Sequence, residues 1–534
     1  MRSALTYPDA ALVQYDDATC VEAPHDLARF AAPGVEVTFR GSDTELGVHL
    51  AASRLLSRVI LRWHTSFPDN TLFLADHWER SYGDLQWRTL QPERIMPWYF
   101  AAYDPVTRRT WAVGVKTQPN ALCFFTVDAQ GISLWLDCRN GGGPVALGPR
   151  QIHAATIVVA ESLDNETPFA LLRRFCHQMS PEPRLPTAPV AGNNNWYYAY
   201  GKNFDAAAIL RDASFLAELA GAHTNRPFCV IDAGWNPSGD CPGGPWTAGW
   251  SDRFPDMPGL ALQIESLGVR PGIWIRPSAL TTVDNPGRLR QGPNLAGAEK
   301  PLDLTLAENL AILHEDIKRM RSWGYKLLKH DFSTWDAFGR WGFEMGAELT
   351  DGDWHWHDRS LTNAEVLLQW YRVIRAAAGD AYVLGCNTIG HLGAGLFELQ
   401  RTGDDTSGQH WERTRRMGPN TLAFRLPQHN SFFALDADCT PHTTATPWEK
   451  NRQWLDLVAR SGTALFISVD PTCLPAEVRA AFGAALQTAL NGGVPGGTEP
   501  LDWLQTTTPE CWRIGAETVH YEWSESCGAW PLRV

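Results

Sequence analysis

A lysine and an aspartate, two positions apart, close an apolar run near the middle of the chain. Residues 325–335 read YKLLKHDFSTW, so an aromatic residue and two leucines are followed at once by polar residues. Since side chains alternate between the two faces of a strand, Lys329 and Asp331 share one face and His330 lies on the other. A lone Lys-x-Asp at a strand end is more often a surface ion pair than a reactive site. The interpretation therefore depends on what the other strands bring.

Similar polar endings follow six other apolar runs in the same half of the chain. They supply, in chain order, Trp196 and Tyr197, Asp232 and Trp235, Trp274 and Arg276, Cys386 and Asn387, Arg401 with Asp404 and Asp405, and Asp436 with Asp438. Two carboxyl groups that flank a sugar bond can hydrolyse it: one attacks or stabilises the anomeric carbon while the other, protonated, gives its proton to the leaving oxygen. The 24 tryptophans of the chain add flat faces that suit sugar rings.

A metal centre is the other explanation for clustered aspartates. The histidines near the run ends, His330 and His391, fit no ligand spacing typical of a zinc site. The sequence therefore favours glycoside hydrolysis over metal-assisted hydrolysis. We expect neither a metal ion nor an organic cofactor.

The spacing of the apolar runs indicates the fold that would position these side chains. Eight runs cover residues 193–201, 228–235, 270–277, 325–332, 382–388, 396–405, 432–439 and 464–470. Segments between them, such as 205–221 and 306–323, have the helical period. Eight strands with intervening helices predict a (β/α)8 TIM barrel, whose chemistry lies at the carboxyl ends of the strands. A doubly wound open sheet is the alternative, but no Gly-x-Gly-x-x-Gly turn follows the first run.

The segments on either side of the barrel predict β domains. Short alternating runs, among them VEVTFRG at 35–41 and TLFLADHWER at 71–80, are typical of an antiparallel β-sandwich. A short helix at 168–178 then leads to a proline-rich linker. We expect an α/β protein with four parts: an N-terminal sandwich at 1–180, a linker at 181–189, the catalytic barrel at 190–489 and a small C-terminal β domain at 490–534.

Composition excludes several classes of partner. The net charge of -13 over 534 residues argues against nucleic acids and anionic membranes, which bind basic surfaces. No apolar run approaches the roughly 20 residues of a membrane helix, and residues 1–17 lack the apolar core of an export signal. The eleven cysteines contain no Cys-x-x-Cys pair and predict no disulfide framework. We expect a cytoplasmic protein that binds an oligosaccharide or glycoside; whether it forms a homo-oligomer stays open.

The order of the motifs resembles a known family. VIDAGW (230–235), GIWIRP (272–277), LLKHDF (327–332), GCNT (385–388) and RTGDDT (401–406) follow a β-sandwich, as in the melibiase-type α-galactosidases of glycoside hydrolase family 36. The likeness to family 27 is more distant. The resemblance covers most of the chain, and its most specific part is the combination of Lys-x-Asp, Asp-x-Gly-Trp and Gly-x-Trp on neighbouring strands.

The resemblance implies roles for the matching residues. Asp331 would be the nucleophile of a retaining enzyme, and Lys329 would donate to sugar hydroxyls and keep Asp331 ionised. Asp232 would accept hydrogen bonds from hydroxyls at the closed end of the pocket. Trp196 and Trp274 would pack against the sugar ring.

Two motifs of the family select different residues as the acid/base. An arginine four residues before the acid and a threonine after it select Asp405, the assignment that we favour, with Arg401 in its expected place. A Ser-Asp-x-Thr frame, found in another branch of the family, would select Asp404. Whichever aspartate is not the acid would brace the loop or Arg401. Cys386 matches a small pocket-lining cysteine of the family, although a buried apolar filler explains it equally well.

Tyr197, Trp235 and Arg276 complete the predicted binding residues, and Trp235 either lines the pocket or anchors its loop. Two positions depart from the family: Ala233 stands where relatives have a second aspartate, and Arg276 stands where many have glutamate. Loss of that aspartate removes a charge-assisted hydrogen bond worth about 1.5 to 3 kcal/mol.

The sequence as a whole indicates a retaining α-glycosidase that hydrolyses terminal α-linked galactose-like sugars. The same fold acting on another glycone, such as an α-N-acetylgalactosaminide or a β-L-arabinopyranoside, is one alternative. A catalytically weak carbohydrate-binding protein is another, although a pure binder has no need to keep both Asp331 and an acid candidate.

Overall fold

The computed structural model describes residues 7–16, 20–22, 25–26, 28–201, 203–237, 243–295, 297 and 299–524. The predicted sandwich and C-terminal domain also include residues 1–6 and 525–534, and the expected lack of an export signal concerns residues 1–17. Those predictions lie partly or wholly outside the described residues. The exact domain bounds stay a prediction.

Two antiparallel sheets form the N-terminal part, as the alternating runs predict. Residues Val35–Gly41 alternate between buried and partly exposed over their first five positions, which gives the strand one apolar face. The rings of Phe100 and Phe125, one from each sheet, meet edge to face with centroids 5.5 Å apart. The sheets have the strand orders β2-β1-β7-β13-β12-β9 and β3-β4-β5-β6-β14-β11-β10-β8. The strands are β1 (Ala10–Tyr15), β2 (Cys20–Glu22), β3 (His25–Asp26), β4 (Arg29–Ala32), β5 (Val35–Gly41), β6 (Glu45–Ala52), β7 (Leu56–His64), β8 (Leu72–Ala75), β9 (Met96–Pro97), β10 (Tyr99–Asp104), β11 (Arg109–Val115), β12 (Leu122–Asp128), β13 (Gly131–Asp137) and β14 (Gln151–Glu161).

Eight parallel strands close into a barrel, which confirms the predicted TIM-barrel class. The first barrel strand pairs with both the second and the eighth, and the interior is filled with apolar side chains such as Val230, Leu327 and Phe466. The ten strands of this part are β15 (Ala191–Asn194), β16 (Phe228–Ile231), β17 (Arg270–Ile275), β18 (Ala279–Leu280), β19 (Lys300–Pro301), β20 (Leu327–His330), β21 (Tyr382–Gly385), β22 (Leu399–Arg401), β23 (Ala434–His442) and β24 (Ala464–Val469). Strands β18 and β19 form a separate two-stranded ribbon.

Helices flank the barrel strands, and the segments with helical period fold as predicted. Asp205 caps the helix at Ala206–Ala220 by accepting a hydrogen bond from the amide of Ala208. The helices are α1 (Pro168–Met179), α2 (Trp196–Ala199), α3 (Ala206–Ala220), α4 (Met257–Ser266), α5 (Ala307–Ser322), α6 (Ser333–Phe338), α7 (Asn363–Ala378), α8 (Gly390–Gly393), α9 (Trp411–Arg415), α10 (Thr421–Arg425), α11 (Trp448–Ser461) and α12 (Ala476–Leu490). None of the helices in the described part of the chain has the length and apolarity needed to cross a membrane.

Several predicted strands are too long at their carboxyl ends. The run at 193–201 was expected to be one strand, but β15 ends at Asn194 and Trp196–Ala199 form the short helix α2. The Asn194 side chain accepts a hydrogen bond from the amide of Trp196 at 3.0 Å, which turns the chain out of the barrel wall. The run at 71–80 likewise ends as a strand at Ala75. The residues beyond these points form a short helix in one case and a loop of the sandwich in the other, so apolarity alone overestimates strand length.

A three-stranded antiparallel sheet ends the described chain, as the predicted β appendage requires. Its strands are β25 (Thr498–Pro500), β26 (Cys511–Ile514) and β27 (Glu517–His520). Trp503 links this part to the sandwich through an edge-to-face contact with Trp87, with ring centroids 5.5 Å apart. Trp411 of α9 donates its indole N–H to the carbonyl of Trp523 at 2.7 Å. The C-terminal sheet is therefore packed against both larger parts.

Candidate active site

A cavity of about 280 Å³ opens at the carboxyl ends of the barrel strands. Its position agrees with the place where barrels of this class carry their chemistry. The lining residues are Arg80, Tyr82, Trp196, Asp232, Trp274, Lys329, Asp331, Phe332, Trp341, Phe343, Asp404 and Asp405. Seven of these twelve are predicted site residues, and they come from β16, β17, β20, β22 or the turns that follow β15 and these strands.

Asp331 is held at the cavity wall by two hydrogen bonds. Its Oδ2 accepts from the indole N–H of Trp274 at 3.0 Å, and its Oδ1 accepts from the amide of Phe332 at 2.9 Å. Phe332 has a φ of 66°, which is costly for a residue with a bulky side chain. The sharp turn and the two donors fix the orientation of the carboxylate, as a nucleophile requires.

Lys329 and Asp232 form a buried ion pair that lines the cavity. The Lys329 Nζ lies 2.7 Å from Asp232 Oδ2, and both side chains are at least nine-tenths buried. The same carboxylate also accepts hydrogen bonds from Asn194 Nδ2 at 2.5 Å and from the amide of Ala233 at 2.8 Å. Burial by itself would lower the pKa of the Lys329 ammonium, but the facing Asp232 carboxylate outweighs burial and raises it well above its usual value. Lys329 is therefore a permanent cation within reach of both Asp232 and the cavity.

The two adjacent aspartates after β22 have different surroundings. Asp404 is bound on both oxygens, with Arg80 Nη2 at 2.7 Å and Arg413 Nη2 at 2.6 Å. Asp405 receives Arg401 Nη2 at 3.3 Å and Arg80 Nη1 at 3.5 Å, both on Oδ1. The Asp405 side chain is 39% exposed and that of Asp404 is 17% exposed. Asp405 is the more accessible carboxylate of the pair.

Cations control the ionisation of Asp405. Burial would raise the pKa of its carboxyl, but four cations outweigh burial and lower it to about 2; in order of effect they are Arg80, Arg401, Lys329 and Arg413. Asp405 is consequently a carboxylate at neutral pH in the ligand-free protein. This charge state suits a general base and opposes the protonated form that a general acid needs.

The sandwich contributes part of the cavity wall. Arg80 and Tyr82 lie in the loop after β8, and Ser81 between them forms an isolated parallel bridge with Gly403. Glu79 in the same loop is fully buried and accepts hydrogen bonds from Thr334 Oγ1 at 2.6 Å and from the amide of Gly342 at 3.0 Å. These contacts fasten the sandwich loop to the barrel loops that follow β20 and β22.

Aromatic side chains form the mouth of the cavity. Tyr82 and Phe343 meet edge to face with centroids 5.0 Å apart, and Trp341 stacks on Trp335 at 5.1 Å. Phe343 is 61% exposed, although a large apolar ring is normally buried. An exposed ring beside a polar cavity is suited to bind the flat face of a ligand.

Five predicted binding residues lie behind the cavity wall. Tyr197, Trp235, Arg276, Cys386 and Arg401 are each at most 3% exposed and do not line the cavity. They occupy supporting positions, and their contact with substrate stays a prediction.

Two of these residues brace the loop at 402–410, which carries both candidate acids, Asp404 and Asp405, and is called the acid loop below. Tyr197 donates its hydroxyl to Asp438, which also binds Arg401 at 2.9 Å. Cys386 lies between the guanidinium groups of Arg80 and Arg401, each 3.5 Å from its sulfur, and burial raises the pKa of its thiol. The two predicted roles of Cys386 were a pocket-lining residue and a buried filler, and its 1% exposure favours the buried filler.

Trp235 and Arg276 lie in the wall next to β17. Trp235 donates its indole N–H to the carbonyl of Trp274 at 2.9 Å and so anchors the loop after β16. Arg276 binds Asp336 at 2.6 Å and lies 4.2 Å from the centre of the Phe332 ring. The arginine therefore stabilises the turn that carries Asp331 instead of facing the cavity.

Five lining residues were not predicted from the sequence. Arg80 ends a run interpreted as a sandwich strand, and Tyr82 follows that run. Phe332 ends the LLKHDF motif but was given no role, and Trp341 and Phe343 lie in a segment without a motif. A signal was present in the second case, since residues 332–343 hold five aromatic residues. Within the described residues, no group of three or more histidine, cysteine, aspartate or glutamate side chains is arranged to hold a metal ion.

The whole chain is similar in structure to known α-galactosidases. The sequence matches no protein-family model and no curated protein. An α-galactosidase from Thermus thermophilus, solved with p-nitrophenyl α-D-galactopyranoside, superposes with a TM-score of 0.61 at 19% identity over 96% of this chain and 99% of that one. The family 36 α-galactosidase AgaA from Geobacillus stearothermophilus, solved as a variant with 1-deoxygalactonojirimycin, gives 0.63 at 13% identity over 95% and 80%. The galactosidase domain of the α-galactosidase-sucrose kinase AgaSK gives 0.64 at 13% over 95% and 79%.

These superpositions show a shared fold over nearly the whole chain. The resemblance drawn from the motifs is confirmed at that level, including the sandwich, the barrel and the small β cap.

Proposed function

We propose that this protein is a retaining α-glycosidase that hydrolyses terminal α-linked galactose-like sugars. The observation that carries the proposal is one cavity, lined by Asp331, Asp405 and the Lys329–Asp232 ion pair, at the carboxyl ends of the barrel strands. The fold shared with α-galactosidases supports the same substrate class.

Bond formation to Asp331 would be the first chemical step. One oxygen of Asp331 attacks the anomeric carbon while the bond from that carbon to the glycosidic oxygen breaks. The departing oxygen takes the proton of Asp405 when that carboxyl is protonated, and otherwise leaves as an anion. In the second step water gives a proton to Asp405 and its oxygen bonds the anomeric carbon, which releases Asp331. Two inversions give net retention.

The Lys329–Asp232 pair would bind the hydroxyls of the sugar. Lys329 has hydrogens left to donate, and Asp232 is the remaining carboxylate acceptor at the closed end. Trp274 lines the cavity and also donates a hydrogen bond to Asp331. The same side chain would therefore contact the sugar and orient the nucleophile. Trp196 lines the opposite part of the cavity and would contact the sugar ring.

The preferred glycone is the less constrained part of the proposal. Ala233 is fully buried and supplies only a methyl group where relatives have a second carboxylate. This favours sugars that do not need that acceptor, and an α-N-acetylgalactosaminide or a β-L-arabinopyranoside belongs in any substrate panel. The eight described cysteines without a disulfide partner support our proposal of a cytoplasmic location.

Replacement of Asp331 tests the mechanism directly. We expect Asp331→Gly to lower kcat/KM for an aryl α-galactoside by ~10⁴-fold or more, because no group can form the covalent intermediate. Azide should restore turnover by entering the space left by the carboxylate. The product should be the β-glycosyl azide, since azide attacks from the face that Asp331 occupied.

Asp351→Gly is the matched control, because Asp351 is an exposed carboxylate on a nearby loop, and it should retain activity. Full activity of Asp331→Gly would remove Asp331 from the mechanism. Binding of sugars without turnover of any glycoside in the panel would favour a carbohydrate-binding protein instead.

A further inference from the structure

The loop of the sandwich at residues 76–84 places a cation between the two aspartates of the acid loop. Arg80 is 6% exposed, and its two terminal nitrogens face Asp404 and Asp405 separately. The amide of Ser81 donates to the carbonyl of Thr402 at 3.0 Å, and the amide of Asp404 donates to the carbonyl of Ser81 at 2.8 Å. Main-chain hydrogen bonds therefore fix Arg80 relative to both carboxylates.

Asp405 is the aspartate on which this arrangement acts. Asp404 is already neutralised by Arg413 on its second oxygen. Arg80 and Arg401 both approach Oδ1 of Asp405, and two guanidinium groups on one oxygen favour the ionised carboxyl. The low pKa of Asp405 agrees with this geometry.

Groups from several elements face Asp405. They are Arg80 of the sandwich loop, Lys329 of β20, Arg401 of β22, Asp404 in the same loop, Arg413 of α9, Tyr197 of α2 and Tyr200 directly after it. Asp438 of β23 shares Arg401 with Asp405. The cations outnumber the anions that face this carboxyl, and Arg80 and Arg401 lie within 3.5 Å of it.

We propose that Arg80 is a positioning residue that, with Arg401, keeps Asp405 ionised in the resting protein, so that the site acts on glycosides of acidic aglycones, above all phenols. The inference rests on the proposed function and specifies its leaving group. An ionised Asp405 has no proton to give, so the electrons of the breaking C–O bond depart with the aglycone as a phenolate. The bond formed by Asp331 replaces the one that breaks, and no further reactant is needed.

The second step runs well with the same charge state. Asp405 is already a carboxylate when water must lose a proton, and it returns that proton to solvent before the next turnover. Deglycosylation therefore needs no prior loss of a proton from Asp405, and the first step limits turnover when the aglycone would leave as a poorly stabilised alkoxide.

The mouth of the cavity fits the same class of aglycone. Tyr82 and Phe343 present aromatic rings beside Arg80, whose guanidinium carbon lies 5.9 Å from the centre of the Tyr82 ring and 6.0 Å from that of Trp341. A phenolic ring can stack on these side chains while its oxygen faces the arginine, which stabilises the developing negative charge.

Titration of Asp405 tests the inference without substrate. Protein labelled with ¹³C at aspartate carboxyl carbons gives the Asp405 signal as the one lost in Asp405→Asn. We expect this signal to stay in its ionised position from pH 7 down to pH 4 in the native sequence. In Arg80→Gln it should titrate at a pH higher by about one unit or more, because an opposite charge is removed. Arg80→Lys should resemble the native protein.

Kinetics provide the second measurement. Across a series of aryl α-galactosides, kcat/KM of the native protein should fall steeply as the pKa of the phenol rises. Arg80→Gln should flatten this dependence below neutral pH, where Asp405 regains its proton. Arg413→Gln is the comparison. Arg413 binds the Asp404 carboxylate and the main-chain carbonyl of Asp405, but it does not contact the Asp405 carboxylate. Because Arg413 lowers the pKa of Asp405 less than Arg80 does, the shift in Arg413→Gln should be smaller than that in Arg80→Gln.

The outcomes separate the inference from the proposed function. An Asp405 signal that titrates identically in native protein and Arg80→Gln overturns the inference, whatever the activity. An equal shift in Arg80→Lys overturns it too, since the positive charge would then be irrelevant. Absence of turnover with the expected titration would leave the charge arrangement standing and reject the glycosidase.

Discussion

At the residue scale, Asp404 and Asp405 differ in their partners and not in their chemistry. Asp404 is held by two arginines, one on each oxygen, whereas Asp405 has one oxygen in contact with arginines. Among the described residues, no hydrogen-bond donor faces the second oxygen of Asp405. That oxygen is available to exchange a proton with a ligand, which supports the choice of Asp405 over Asp404.

This difference predicts distinct products from two variants. Asp405→Ala should accumulate the glycosyl-enzyme with an aryl substrate, because water lacks its base. Azide, which needs no base, should then release the α-glycosyl azide and raise kcat by about tenfold or more. Product stereochemistry by NMR provides the measurement.

Asp404→Ala is the paired variant, and it leaves Arg80 and Arg413 without a shared partner. It should lower activity through misplacement of these arginines, but azide should give no acceleration. Azide rescue of Asp404→Ala with formation of the α-azide would instead assign the acid/base to Asp404.

The sequence predicts part of this site because strand periodicity places Lys329 and Asp331 on one face. It does not predict Arg80, whose contact with Asp405 joins residues 325 positions apart. No local pattern marks such a contact, and the residue type alone is common on surfaces. The buried positions of Tyr197 and Arg276 could not be predicted for a similar reason. The sequence shows a polar residue near a strand end, but it does not show which neighbouring side chain binds that residue.

At the scale of elements, α2 and α3 are joined beneath the cavity by a buried carboxyl. Asp212 of α3 is 2% exposed and accepts a hydrogen bond from the hydroxyl of Tyr198 at 2.5 Å. Burial raises its pKa from 3.8 to about 7. Trp196, which lines the cavity, lies two residues before Tyr198, so this contact helps to position the wall.

Asp212 should make folding stability dependent on pH. Between about pH 4 and pH 7 the folded protein keeps this proton while the unfolded chain has lost it, so the contribution of Asp212 to stability falls as pH rises through this window. The loss should reach about 4 kcal/mol above pH 7. Asp212→Asn cannot ionise and keeps an acceptor for Tyr198. Its thermal midpoint relative to the native protein should therefore rise from pH 4 to pH 7.

Asp205→Asn is the control for the Asp212 prediction, because Asp205 is an exposed residue at the start of the same helix. Its difference from the native protein should change little over this range. A difference between Asp212→Asn and native protein that stays constant with pH would contradict the assignment.

At the scale of the whole molecule, the sandwich and the barrel share one cavity. Glu79 binds Thr334 and the amide of Gly342, and a β carbon added at Gly342 would lie 2.2 Å from Glu79 Cγ. The glycine is therefore required by the close approach of the two parts. The sequence predicts both parts and their order, because each has its own periodicity, but the contact between them depends on loop shapes that periodicity does not determine.

Removal of the Glu79 carboxylate should loosen this contact. Glu79→Ala removes the carboxylate that accepts from Thr334 and from the Gly342 amide, which then keeps only the Tyr82 hydroxyl as acceptor. The lost hydrogen bonds and the small void should cost on the order of 2 to 4 kcal/mol. Activity should fall as well, because Arg80 follows directly in the chain. Hydrogen exchange followed by mass spectrometry should show faster exchange at residues 76–84 and 339–346.

Asp84→Ala offers a comparison within the same loop, since the Asp84 side chain is half exposed and, among the described residues, has His77 as its hydrogen-bond partner. It should leave the exchange of residues 339–346 unchanged. Native exchange rates at both segments in Glu79→Ala would show that the buried carboxylate does not hold the two parts together.

The bridge between Ser81 and Gly403 limits how this architecture can be recombined. A barrel grafted onto a foreign sandwich would keep Asp331 and Lys329, yet the loop that carries Asp404 and Asp405 would lose the Arg80 guanidinium and a backbone partner. Homologous chains that exchange either module must therefore inherit a compatible loop with it, and selection will act on the two modules as a single hereditary unit.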